Sequence, residues 1–157
     1  MRKKIKDNPM SIDILVHIPE GRVPTPDEWQ SAITKAGFPV MIDTDFNLHE
    51  FSGFLPCKFK EMTGGFEYYY SVVEKNELTE IGVPENLPVQ ISFVTHTEFA
   101  ELATAVIASA VLTDITGGLL MDTEEGKTFN GNEALVWARK IIKELSLPTR
   151  KPWWKFW

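Results

Sequence analysis

Ile12, Ile14, Val16 and Ile18 recur at every second residue around Asp13, Leu15 and His17. That period belongs to a strand with one apolar face. Pro19-Glu20-Gly21 ends it, and the period then changes. Thr25-Pro26-Asp27-Glu28 carries a full helix start: a capping hydroxyl, proline at the first helical position, and a glutamate placed to close a capping box. Trp29, Ala32, Ile33 and Ala36 then share one helical stripe that Gly37 closes.

Residues 38–42 predict a second strand, which Pro39 restricts to an edge or a strand start. Between 43 and 64, glycines and prolines interrupt the anchors Phe51, Phe54, Leu55 and Phe59. This stretch predicts a loop or short helix, then a short strand at 56–60. Residues 66–73 alternate with aromatic rings on one face, and 89–95 alternate again after an acidic, proline-bounded loop. Thr95-His96-Thr97-Glu98 matches a second capping box and opens a helix to about Ile115. That helix is apolar almost all round, the pattern of a central buried helix, and its charged ends leave it short for a bilayer span. Residues 119–121 and 128–129 predict a hairpin, and Asn132 caps a last helix through about Leu145.

Together these elements predict one layered α+β domain, a mainly antiparallel sheet with three helices. Its order is the ferredoxin-like β-α-β-β-α-β order with a C-terminal hairpin and helix added. The domain is expected over residues 11–147, with a basic arm at 1–10 and a tryptophan-rich basic tail at 148–157.

Composition narrows the classes. The 157 residues suit one domain, and the single cysteine, Cys57, excludes an intrachain disulfide and fits a reducing, cytoplasmic setting. The basic arm lacks the apolar stretch of a secretion signal. Residues 8–149 hold 9 Lys/Arg against 21 Asp/Glu, a net charge of −12. Such a body repels nucleic acid and attracts basic proteins. The tail holds Trp153, Trp154 and Trp157 beside Arg150, Lys151 and Lys155. Rings left in water are costly, so the tail calls for a surface: its own domain, a second copy in a homodimer, a protein partner or a membrane interface.

Catalytic and metal signatures are weak. Asp43-Thr44-Asp45-Phe46-Asn47 opens like a calcium loop, but Leu48 and Phe54 stand where the sharp turn and the bidentate ligand belong. His17, His49 and His96 lack ligand spacing, so neither a metal nor a cofactor is expected. Cys57 reads as packing. His96, where a strand meets a helix beside Thr95, Thr97 and Glu98, is the best polar-site candidate. For partner binding the candidates are the carboxylates Asp43, Asp45, Asp122, Glu124 and Glu125, the outward ring of Tyr69, and Trp153, Trp154 and Trp157.

Gly53-Phe54-Leu55-Pro56-Cys57, Gly65-Phe66-Glu67-Tyr68-Tyr69, Thr95-His96-Thr97-Glu98 and the alanine-rich helix give residues 10–145 a resemblance to small bacterial proteins. Some of those are similar to immunity proteins encoded beside polymorphic or contact-dependent toxins. The resemblance implies a small, acidic, non-catalytic cytoplasmic domain that neutralises a toxin domain by occlusion, and it carries no catalytic residue across. Two other readings stand beside it: a peripheral membrane or assembly adaptor acting through the tail, and a small enzyme with its site near His96.

Overall fold

Alternation at the start of the domain becomes β1 (Ile12–Ile18), with Ile14, Val16 and Ile18 buried on one face. The computed structural model describes residues 12–146. The expected arm at 1–10 and the tail, including Trp153, Trp154 and Trp157, lie outside the described residues. After β1 come α1 (Pro26–Lys35), β2 (Val40–Ile42), β3 (Gly53–Phe59), β4 (Met62–Val72), α2 (Lys75–Ile81) and β5 (Val89–Thr95). The chain continues through α3 (Phe99–Thr116), β6 (Leu119–Asp122), β7 (Lys127–Phe129) and α4 (Gly131–Ser146).

The class is α+β. Seven strands form one antiparallel sheet in the order β2-β3-β4-β5-β1-β6-β7. The expected three helices are four, and the ferredoxin-like β-α-β-β-α-β order is not matched exactly. β3 is an additional strand between β2 and β4, and α2 separates β4 from β5. Residues 74–88 read as a loop because α2 has seven residues and buries only Leu78, too little to show a helical period.

Register explains the two layers. Val16 faces Ile91 and Leu120 across the sheet, and Tyr68 faces Phe93, so one apolar face runs through every central strand. α1, α3 and α4 contribute to the single large core on that face. α3 is buried for most of its length and sits between sheet, α1 and α4. Its length and composition would allow a membrane span, but most of its surface is enclosed by the domain. Trp29 fastens α1 to α3, its indole Nε1 donating to the Ala108 carbonyl at 3.0 Å. On the opposite face a smaller cluster of Leu78, Val83 and Leu87 covers Leu119 and Met121.

The capping box at Thr25 forms in both halves: the Glu28 amide donates to Thr25 Oγ1 at 3.1 Å, and the Thr25 amide to Glu28 Oε1 at 2.9 Å. The matching motif at Thr95 does not. Thr95 pairs with Ile12 as the last residue of β5, so it cannot also begin a helix; α3 starts at Phe99 and the preceding Glu98 makes no side-chain cap. The last helix also starts earlier than Asn132. The Asn130 carbonyl accepts from the Ala134 amide at 2.7 Å, and Glu133 Oε1 accepts from the Asn130 amide at 3.1 Å.

The glycines of 53–65, which suggested a broken loop, lie in a strand pair that runs from Gly53 to Val72. At Gly64 an added Cβ would fall 2.6 Å from the Ala100 carbonyl, so a bare backbone is what lets α3 rest on β4.

Candidate protein-docking groove

The β6–β7 turn is built by its own acids. Asp122 Oδ1 accepts from the Glu124 amide at 3.0 Å and the Asp122 carbonyl accepts from the Gly126 amide at 2.8 Å. Gly126 closes the turn at φ 69°, a conformation that favours glycine. Thr123 Oγ1 donates to the Asp13 carbonyl at 2.7 Å and ties the turn to β1. Glu124 and Glu125 are left exposed, whereas Asp122 is buried to 8% exposure. Glu125 pairs with Lys127 at 3.3 Å on the surface.

β7 is the last strand of the sheet and α4 runs beside it. Phe129 stacks on Trp137 with centroids 5.5 Å apart and planes 26° apart. Between strand and helix lies a groove of about 540 Å³. Phe129, Val136, Trp137 and Ile141 supply its apolar lining, and the carboxylates Asp122, Glu125, Glu133 and Glu144 outnumber Lys127 and Lys140. Val136 is 57% exposed, an apolar side chain on the polar side of an amphipathic helix. That departure from the inward stripe of α4 was the sequence signal for the groove, and it was missed along with Glu133, Trp137 and Glu144.

The remaining sequence candidates do not converge there. Asp43 and Asp45 follow β2 at the opposite edge of the sheet, where the Asp45 amide donates to Asp43 Oδ1 at 2.9 Å in a turn. Six strand spacings separate the two edges, about 29 Å. Asp122, Glu124 and Glu125 share a turn and Asp43 and Asp45 stand apart. Tyr69 lies on the outer face of β4 and donates its hydroxyl to Glu67 Oε1 at 2.5 Å, and that bond raises the phenol pKa.

His96 is exposed on the β5–α3 connection, with Nδ1 3.6 Å from Glu101 Oε1. It borders a cleft of about 250 Å³ shared with Phe54, Glu67 and Val94. The one hydroxyl in the cleft lining, that of Thr95, donates to the His96 carbonyl at 3.4 Å. Cys57 is buried and its thiol is pushed up to about 12, chiefly by burial and further by Asp43, so it holds its proton at neutral pH. Among the described residues no three His, Cys, Asp or Glu side chains gather as a metal site.

No protein-family model, no curated protein and no solved structure matches the chain. What the groove does is therefore argued from its own geometry.

Proposed function

We propose that this chain is a non-catalytic binding domain that docks a basic protein on the groove between β7 and α4. The observation that carries the reading is the coincidence of three properties in one place. The groove lies on an edge of the sheet that is unpaired among the described residues, its apolar lining includes the exposed Val136, and its charged rim is predominantly acidic. Interfaces of this kind take their affinity from a buried aromatic or aliphatic centre, and their partner choice and approach rate from the surrounding charge. Phe129, Trp137 and Val136 supply the first, and Glu125, Glu133 and Glu144 the second.

The resemblance to immunity proteins gives this reading a biological form: the groove would cover a basic working surface of a toxin domain and block it by occlusion. The cleft at His96 supports chemistry less well, because it is smaller and its lining hydroxyl is already committed. The adaptor reading turns on the tail, outside residues 12–146.

A photoreactive phenylalanine analogue tests the proposal when it replaces Val136 in one full-length protein and Tyr69 in another, each expressed in the source cells. Irradiation is expected to join one defined protein to the Val136 variant and none to the Tyr69 variant. Equal yields at both positions, or no adduct at Val136, contradict the proposal.

A further inference from the structure

We infer that the segment this groove accepts is extended and basic, and that it joins the sheet as an eighth strand along β7. The inference rests on the groove being the docking site and adds how the partner is held.

β7 pairs with β6 on one side, through Leu120–Phe129, Met121–Thr128 and Asp122–Lys127, and is terminal on the other. A terminal strand presents backbone donors and acceptors to any chain that arrives extended. Proteins commonly guard such an edge with a lysine. Here the edge lysine, Lys127, is paired with Glu125 at 3.3 Å, and the groove beyond it is predominantly acidic. The edge therefore repels an acidic strand and admits a basic one.

The lining sets the pattern of the arriving segment. Alternate side chains of a strand fall on one face, so every second residue of an added strand points towards α4. Side chains of that one face must be apolar where they meet Phe129, Val136 and Trp137 and basic where they reach Glu133 and Glu144 on the helix. From Asn132 to Glu144 the groove follows α4 for about 18 Å, the length of about five or six extended residues. The recognised element is thus a short extended run whose α4-facing residues, every second one, include both apolar and basic side chains.

The test uses a blocked hexapeptide with lysine, valine and lysine at its odd positions and serine at its even ones, titrated into the isotope-labelled full chain, with two controls. One control is N-methylated at the odd positions and the other at the even positions. Both keep charge and side chains, but only one keeps the backbone donors that face β7. The parent peptide is expected to shift the amides of residues 127–129 and 133–141 and to slow hydrogen exchange at 127–129. One N-methylated form is expected to match it, while the other loses at least tenfold in affinity. Equal binding by all three peptides overturns strand addition and leaves the groove reading standing. Shifts centred on Tyr69 and Phe54 overturn both. Failure of the parent to bind overturns the inference alone, because the Val136 crosslink judges the groove independently. Nuclear Overhauser contacts from 127–129 to residues 149–157 without added peptide would make the chain's own basic segment the occupant and overturn an external one.

Discussion

His17 shows how a single side chain can be placed correctly and still be misjudged. Its position on the less apolar face of β1 is legible from alternation, but its complete burial is not, because the covering residues belong to the 73–88 excursion that hid α2. Neither ring nitrogen has a hydrogen-bond partner in the structure. Burial lowers the imidazole pKa from its usual 6.5, and the Leu87 backbone nearby opposes that fall only in part. The linkage follows directly. Well above pH 6.5 the ring is neutral in both states and adds no pH dependence. As pH falls below 6.5 the unfolded chain takes up the proton first, so His17 makes the fold lose stability on the acid side. His17→Leu is expected to raise unfolding free energy at pH 7 by about 1 kcal/mol, since it removes an unpartnered buried polar group of similar size. It is also expected to flatten the decline between pH 6.5 and about pH 5 relative to the parent. Urea titrations at both ends of that range measure it; an unchanged acid-side slope would show that His17 is not the group responsible.

At the scale of elements, the two threonine motifs teach the limit of local reading. Thr25 and Thr95 stand in nearly the same sequence context, and only Thr25 caps a helix. The local differences, Pro26 after Thr25 and His96 after Thr95, do not by themselves forbid a cap at Thr95. The difference is strand pairing with Ile12, a partner 83 positions away along the chain. Likewise Gly64 reads as a break because a close approach by Ala100 of α3 is invisible before the fold is known. Among the legible elements, β1, α1 and β5 have a hydrophobic period that spans several turns or pleats, and α3 is legible from its long, almost wholly apolar run. The contact that joins two of them is also the easiest to weigh. Trp29→Phe keeps a ring in the core but removes the donor to the Ala108 carbonyl that clamps α1 to α3. A loss of about 1–2 kcal/mol is expected, read as a lower denaturation midpoint with an unchanged slope. No shift in midpoint would mean that apolar contact alone positions α1.

Across the whole molecule the decisive fact is strand order, and strand order was the least legible. Charge counting identified an acidic body, yet the sheet carries Asp43 and Asp45 to one edge and Glu124 and Glu125 to the other. Only topology shows that the second edge also holds an exposed valine, a stacked aromatic pair and two further glutamates from α4. The separation of the edges also supplies a matched control. The central claim is tested most directly by the affinity of the partner crosslinked at Val136 for two full-length variants of equal charge change, Glu133→Lys/Glu144→Lys and Asp43→Lys/Asp45→Lys. The account predicts at least a tenfold loss, about 1.4 kcal/mol, for the first and binding unchanged within twofold for the second. Equal losses from the two pairs, or no loss from Glu133→Lys/Glu144→Lys, would contradict it.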